Sequence, residues 1–144
     1  MRVKKILFIP LLLLFLTGIQ FSQTFTNVAQ QIGITCTYND RFYYIPCGGI
    51  GFADFDNDND PDCIIATSLN FKVFRNDNGV FTDITTSSGI NFSGDALKSV
   101  IWGDYNNDGW RDVYLTSWYS GNRLYKNNGN NTFSDVTQQA GVEM

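Results

Sequence analysis

The sequence contains no histidine among its 144 residues. Histidine is the commonest general base and transition-metal ligand, so its absence excludes His-dependent catalytic triads, His-rich zinc sites and histidine pH switches. Basic residues are also few, with 10 Lys and Arg against 14 Asp and Glu and a net charge of −4. Because phosphate binding depends mainly on Lys and Arg, this balance argues against a nucleic-acid partner.

Glutamate is nearly absent as well, since Glu143 is the only one and every other acidic residue is Asp. Helix-rich surfaces normally use both acids, and Asp is a poor helix former. The composition therefore favours a fold with little helix. The length suffices for one modest domain and not for two.

The longest apolar run is too short to span a membrane. It extends from Ile6 to Leu16 and, even when continued to Ile19, has 14 residues and contains Pro10, whereas a spanning helix needs about 20 residues. A basic stretch precedes the run and a polar, small-residue stretch follows it, as in a secretory signal peptide. We therefore predict a signal peptide at residues 1–23, a mature chain at residues 24–144 without a membrane span, and a secreted or cell-surface location.

Cysteine is scarce and odd in number. Cys36, Cys47 and Cys63 all lie in the predicted mature chain, so at least one thiol is free or paired with another chain. Cys36 and Cys47 flank a turn-rich stretch and are able to close a short loop, but the pairing stays open. Cys63 begins the apolar run CIIAT, where packing is favoured over reactivity.

Internal repetition is the most informative feature of the sequence. The segment FTNVAQQIGI at residues 25–34 recurs as FTDITTSSGI at 81–90 and as FSDVTQQAGV at 133–142. A second block recurs as GFADFDNDNDPDCIIAT from Gly51 and WGDYNNDGWRDVYLT from Trp102. The chain thus consists of two repeats of about 50 residues and the opening of a third, by the repeat lengths of.

Each repeat has the pattern of a small antiparallel sheet. Runs such as CIIAT and VYLTS are rich in β-branched and aromatic residues, and KVFRN and RLYKN alternate polar with apolar positions. Asn78-Gly79 and Asn128-Gly129 supply the left-handed conformations that tight hairpins need. We predict an all-β fold of antiparallel four-stranded β-propeller blades, with about two repeats plus the start of a third, that is, an incomplete ring.

Each repeat contains one acidic loop, directly before its second predicted strand. Loop one (residues 54–62, DFDNDNDPD) and loop two (residues 104–112, DYNNDGWRD) carry oxygen ligands at positions 1, 3, 5 and 9. Position 7 offers a backbone carbonyl, and its side chain need not coordinate. The predicted metal ligands are Asp54, Asp56, Asp58, Asp60 and Asp62 in loop one, and Asp104, Asn106, Asp108, Trp110 and Asp112 in loop two.

The spacing of these oxygens predicts a bound Ca²⁺. Alternate positions of a tight loop converge on one point, and a cage made entirely of protein oxygens suits calcium better than magnesium. Neighbouring carboxylates about 5 Å apart repel by about 1 to 3 kcal/mol, which a divalent ion reverses. Gly109 at position 6 permits the sharp turn, and Asn59 is the residue type that best tolerates the same left-handed backbone.

Two other interpretations of the loops are less favoured. An EF-hand needs Glu at position 12 and flanking helices, but position 12 is Ile65 or Leu115 within a predicted strand. Solvated turns alone do not account for two copies with the same spacing.

The repeated blocks resemble FG-GAP/VCBS-type repeats over residues 25–142. They are similar to the repeats of cartilage acidic protein and of the bacterial UnbV/ASPIC group. The resemblance implies a calcium-bound β-propeller like that of integrin α-subunits, with structural calcium in loops one and two and a role in adhesion or ligand binding. Loop one departs from the family pattern at Asn59-Asp60-Pro61, where a glycine and a non-acidic residue are usual.

The number of repeats falls short of a ring, since propellers close with four to eight blades. Two blades alone would expose apolar faces and strand edges. We therefore expect the remaining blades to come from a longer chain or from homo-oligomerisation.

The expected function is a non-catalytic, calcium-stabilised scaffold for an extracellular protein or glycan ligand. The alternative is the scaffold part of a calcium-dependent propeller enzyme that acts on polysaccharide. We expect no enzyme, because the motif Asp residues are committed to metal, and Asp83 and Asp135 match across repeats as structural residues do. Core or blade packing is favoured over sugar stacking for the aromatics Tyr43, Tyr44, Trp118 and Tyr119.

Overall fold

The computed structural model describes residues 25–35, 48–67, 71–92 and 97–143. The predicted signal peptide, Cys36, Cys47, Tyr43 and Tyr44 lie outside the described residues.

The described chain forms two antiparallel four-stranded sheets in succession, which we call blade one and blade two. Blade one contains β1 (Gly48–Ala53), β2 (Asp62–Thr67), β3 (Phe71–Asp77) and β4 (Val80–Asp83). Blade two contains β5 (Leu97–Gly103), β6 (Asp112–Ser117), β7 (Arg123–Asn127) and β8 (Phe133–Asp135). Strands pair in chain order within each sheet, which confirms the prediction of four-stranded propeller blades.

Turn residues explain where the outer hairpins reverse. In blade one, Asn78 and Gly79 have φ values of 55° and 84°, as the two-residue turn requires. In blade two the turn is longer than predicted, because Asn128 N–H donates to the Thr132 carbonyl at 2.9 Å. The described part of the chain has a single helix, α1 (Thr137–Ala140), in agreement with the expected low helix content.

The hydrophobic core lies between the two blades. Ile64 and Val73 of blade one and Val113 and Leu115 of blade two are all fully buried in it. Gly51 allows β1 to approach β5, since a Cβ at Gly51 would lie 2.6 Å from Val100 Cγ1 and 2.9 Å from Trp102 Nε1.

Two aromatic contacts fix loop one against blade two. The Phe55 ring stacks on Trp102 at a centroid distance of 5.9 Å and meets the edge of Phe133 at 5.6 Å. Phe55 is 1% exposed, whereas Tyr105 at the same position of loop two is 48% exposed. The first loop is therefore part of the interface between blades.

The repeated Asp-x-Thr motif after each outer strand has the same role in both blades. The Asp83 carboxylate accepts hydrogen bonds from Thr85 N–H and Oγ1–H, and Val73 N–H donates to Thr85 Oγ1. Asp135 and Thr137 make the same contacts, and Thr137 Oγ1 accepts from Leu124 N–H. This arrangement confirms the predicted structural role of Asp83 and Asp135.

Two copies of the repeated segment that ends in Gly-Ile, at residues 25–34 and 81–90, reach the outer strand of the following blade. Phe133 N–H donates to the Ser88 carbonyl at 2.7 Å, and Phe81 N–H donates to the Ile32 carbonyl at 2.7 Å. The adjacent glycine has positive φ and touches the same strand, since a Cβ at Gly89 would lie 2.7 Å from Phe133 O. Gly141 has the same backbone conformation, but a Cβ there would meet nothing within 4 Å.

Cys63 lies in β2 and is fully buried. Its burial agrees with the predicted packing role.

Candidate metal centre

Both acidic loops lie at the same end of the blades. Loop one joins β1 to β2, and loop two joins β5 to β6. A Cβ at Gly49 would meet Lys98 and Ser99, and one at Gly51 would meet Val100 and Trp102, so β1 and β5 run in the same direction. The two loops are therefore presented side by side at one end of the molecule.

The first residue of each loop folds the loop back on itself. The Asp54 carboxylate accepts hydrogen bonds from the N–H groups of Asp58 at 3.1 Å and Asn59 at 2.9 Å. Asp104 does the same for Asp108 at 3.0 Å and Gly109 at 2.9 Å. The sixth residue adopts the predicted left-handed conformation in both loops, with φ of 74° at Asn59 and 89° at Gly109.

The ninth residue fastens each loop to a more distant strand. Asp62 is fully buried, and its two oxygens accept hydrogen bonds from Phe55 N–H at 2.9 Å and Asn76 N–H at 2.8 Å. Asp112 likewise accepts from Tyr105 N–H at 3.0 Å and Asn127 N–H at 2.7 Å. Each carboxylate oxygen keeps a second lone pair, so these predicted ligands retain the capacity to bind a cation.

The seventh residue attaches each loop to the neighbouring hairpin by different chemistry. Asp60 Oδ2 accepts a hydrogen bond from Asn78 N–H at 2.8 Å. Trp110 instead covers the next turn, where a Cβ at Gly129 would lie 2.9 Å from the indole ring. Both side chains make contacts within the protein, and the role of position 7 in metal binding stays a prediction.

Loop one gathers carboxylates around one point. Oxygens of Asp54, Asp56 and Asp58 all lie within 4.8 Å of one another. Asp56 Oδ1 is buried and has no hydrogen-bond partner. A buried carboxylate oxygen without a partner is costly, and a cation among these oxygens would satisfy it. The donor set is oxygen alone, which fits a hard divalent ion.

The pKa values in loop one show the cost of bringing these acids together. Burial raises the pKa of Asp56, and the negative charge of Asp58 raises it further. Burial also raises the pKa of Asp62 to about 6, against the lowering effect of the backbone hydrogen bonds from Asn76 and Phe55. Both shifts disfavour ionised carboxylates in the chain alone, and a bound cation would oppose them.

Loop two has fewer acids and more internal donors. Its third position is Asn106, whose amide Nδ2 donates to Asp108 Oδ2 at 2.9 Å. Lys126 Nζ lies 3.3 Å from the same oxygen. The pKa of Asp108 is lowered by the hydrogen bond from Asn106 first, then by Trp110 N–H and by Lys126. Hydrogen-bond donors and a Lys of the chain itself therefore stabilise part of the negative charge of loop two.

Sequence reasoning missed two kinds of residue at this end of the molecule. The backbone N–H groups of Asn76 and Asn127 donate hydrogen bonds to the ninth-position carboxylates. Lys126 contacts loop two. All three belong to the recurring Arg/Lys-Asn pair in KVFRN and RLYKN, which is the signal that could have identified them.

Trp118 and Tyr119 lie outside the core of the described residues, so core packing was the wrong expectation for them, and packing against a further blade stays a prediction. Their side chains are 64% and 65% exposed. Lys98 Nζ lies 4.4 Å from the centre of the Trp118 ring. These residues follow β6, at the end of the blades opposite loops one and two.

Two successive antiparallel sheets with an acidic loop between the first two strands of each define a repeat protein of the propeller-blade type. The FG-GAP-like repeat family matches residues 54–115 and 104–143, which together make up more than half of the chain. The chain belongs to this family. No curated protein matches it significantly. Similarity to cartilage acidic protein or to the UnbV/ASPIC group stays a prediction.

Within the described ranges, no helix has the length and apolar character needed to cross a membrane.

Proposed function

We propose that this chain is a secreted calcium-binding repeat module in which the ion has a structural role. The observation that carries the proposal is Asp56 Oδ1, which is buried without a partner among the carboxylates of loop one. Asp54, Asp56, Asp58 and Asp62 would hold the ion in loop one. Asp104, Asn106, Asp108 and Asp112 would hold it in loop two.

Calcium is the ion that this donor set favours. It accepts six to eight oxygens in flexible geometry, whereas magnesium demands a near-octahedral site and retains its waters. Structural zinc sites are built from Cys and His ligands, and the loops contain neither residue. Bound calcium would supply the positive charge that the clustered carboxylates lack.

We propose a scaffold and not an enzyme, because the described Asp residues outside the loops are engaged in structural contacts. Asp77 holds Arg75 at 2.7 Å. Asp83 and Asp135 hold the Thr residues that support β3 and β7. None of the three leaves a carboxylate free of such a role to act as an acid or base.

Ligand contact is proposed at the exposed aromatic pair Trp118 and Tyr119. An exposed aromatic ring beside a cation suits a sugar or an extended peptide. Titration with soluble oligosaccharides, followed by tryptophan fluorescence, should give a signal that Trp118→Ala abolishes. The matched control Val80→Ala removes another exposed apolar side chain, 60% exposed, and should retain the signal.

Further blades are proposed to cover the two open sides of the blade pair. Ile50 and Phe52 are each 56% exposed on the free side of blade one, and Ile101 is 52% exposed on the free side of blade two. Tyr105 and Gly141 also lack the neighbours that Phe55 and Gly89 have in the blade interface. A longer chain or further copies would supply these contacts. Sedimentation of the isolated 144-residue chain as a stable, folded monomer would contradict this part of the proposal.

The calcium proposal is tested by thermal unfolding. At millimolar calcium and a dissociation constant of about 0.1 mM, one site adds about 1.4 kcal/mol to stability. The melting temperature should rise with calcium and fall to the metal-free value with a chelator. Asp58→Ala should reduce the rise, whereas Glu143→Gln, which removes an acid outside the loops, should retain it. An unchanged melting temperature in wild type would refute the proposal.

A further inference from the structure

We propose that the two loops bind calcium with unequal affinity because Lys126 competes with the ion for Asp108 of loop two, while Arg75, its counterpart beside loop one, is bound by Asp77. This inference rests on the proposed calcium-binding function. It concerns how the chain's own cations regulate the two sites.

Lys126 and Arg75 occupy the same position in the two blades. Each precedes the Asn of β7 or β3 whose backbone N–H donates to the ninth-position carboxylate. Each is followed two residues later by the residue that decides its partner: Asp77 after Arg75, and Asn128 after Lys126. The blades therefore contain the same cationic position beside the loop, followed two residues later by a different neighbour.

In blade one the neighbour is an acid and it captures the cation. Arg75 donates to Asp77 Oδ2 through Nε at 3.1 Å and through an Nη at 2.7 Å. Among the described residues, no ion pair joins a basic side chain to Asp58, the fifth-position acid of loop one. Arg75 attracts Asp56 and Asp62 of loop one through space. Its hydrogen bonds go to Asp77, however, so Asp58 remains available to an external ion.

In blade two the neighbour, Asn128, is neutral, and Lys126 pairs with loop two instead. Asn128 bonds to Thr132 Oγ1 at 3.0 Å and to Ser134 Oγ at 3.1 Å. Lys126 Nζ then lies 3.3 Å from Asp108 Oδ2, the oxygen that also accepts from Asn106. A calcium ion bound by Asp108 must displace the ammonium group or tolerate its charge.

The expected difference follows from charge and from ligand number. Loop one has carboxylates at positions 1, 3, 5 and 9, and loop two has an amide at position 3. The ion pair of Lys126 is partly exposed, with 36% of its side chain accessible, so its removal should tighten loop two by about three- to tenfold. Together with the missing carboxylate, this predicts that loop two binds at least about tenfold more weakly than loop one.

Calorimetric titration of the full chain with CaCl₂ tests the inference. Wild type should show one tight and one weak site. Asp58→Ala should remove the tight site, and Asp108→Ala should remove the weak one. Circular dichroism checks that each variant remains folded.

The decisive comparison uses chains with a single change beside loop two. Lys126→Met should tighten the weak site about three- to tenfold, and Asn128→Asp should do so too, because the new acid would capture Lys126 as Asp77 captures Arg75. The control Lys72→Met removes the same charge from an ion pair with Asp83 and should leave both sites unchanged. Asp77→Asn should weaken the tight site, because it releases Arg75 toward loop one.

The outcomes separate this inference from the proposed function. If wild type binds no calcium, the proposed function fails. If calcium binds but the weak site is unchanged in Lys126→Met and Asn128→Asp, or if Lys72→Met has the same effect as Lys126→Met, only the inference is overturned. Because Asn128→Asp is a surface substitution in a turn, it gives a result even if Asp58→Ala does not fold.

Discussion

The amide of Asn127 in blade two donates a hydrogen bond to the backbone carbonyl of Phe55 in blade one, at 2.7 Å and out of contact with solvent. The same side chain donates to the Arg111 carbonyl at 3.1 Å and accepts from Gly129 N–H at 2.9 Å. One residue thus joins loop one, loop two and the outer hairpin of blade two. In blade one, Asn76 makes the two local contacts, to Pro61 and Gly79.

This difference predicts unequal effects of the same substitution in the two blades. Asn127→Ala should lower the free energy of unfolding by about 1 to 3 kcal/mol more than Asn76→Ala, because it also leaves the buried Phe55 carbonyl without its donor. Urea unfolding followed by tryptophan fluorescence measures both variants. Equal losses would show that the contact between blades contributes little.

A second pair of variants tests the contact between Gly89 and β8. An alanine in the left-handed conformation costs about 1 to 2 kcal/mol. Gly89→Ala should destabilise the chain by more than this, because its Cβ would lie 2.7 Å from Phe133 O. Gly141→Ala is the control, since Gly141 has a φ of 67° and an open environment. It should show the backbone cost alone, and a loss equal to that of Gly89→Ala would contradict the close approach.

Thr137→Val tests the Asp-x-Thr motif without a change in side-chain shape. Thr137 is 3% exposed, and its hydroxyl accepts from Leu124 N–H at 3.0 Å. Valine would leave this N–H unpaired, so the free energy of unfolding should fall by about 1 to 3 kcal/mol. Thr82→Val, on the exposed side of β4, should change stability by less than about 0.5 kcal/mol. Similar values for the two variants would remove the structural role assigned to the motif.

The acidic and structural positions could largely be predicted from the sequence because they are local. The loop oxygens, the left-handed Asn59 and Gly109, and the paired Asp83 and Asp135 all follow from short spacing that recurs in two copies. The strands of each blade follow from the same repetition.

The remaining features depend on contacts between distant residues. Asp62 and Asp112 bond to strands 14 and 15 residues further along the chain, and no spacing within the loop indicates it. The burial of Phe55 and the exposure of Tyr105 depend on which blade has a neighbour, although both occupy the same motif position. The contact of Lys126 with loop two depends on the neutral residue at position 128.

Alkaline pH should destabilise the fold through Tyr125. Burial raises the pKa of Tyr125 to about 12, and its hydroxyl donates to the Asn91 carbonyl at 3.0 Å. Because the folded-state pKa lies above the ordinary value near 10, its contribution to stability is fully present below pH 10 and is lost as pH rises toward 12.

Tyr125→Phe isolates this effect. The free energy of unfolding of the variant should be about 1 kcal/mol lower at neutral pH because the hydrogen bond is missing. It should also decrease less between pH 10 and 12 than in wild type. Tyr119→Phe, at an exposed position, should keep the wild-type pH profile. A wild-type profile in Tyr125→Phe would show that another group causes the alkaline loss.

The central claim is that a calcium ion fills the carboxylate cluster of loop one. Crystals of the chain grown with calcium, with diffraction data collected at a wavelength where calcium scatters anomalously, test it most directly. The account predicts an anomalous peak between Asp54, Asp56 and Asp58. The peak should lie about 2.3 to 2.6 Å from its oxygen ligands, and Asp56 Oδ1 should be one of these ligands. An ordered loop with a water molecule or no density at that point, at millimolar calcium, would contradict it.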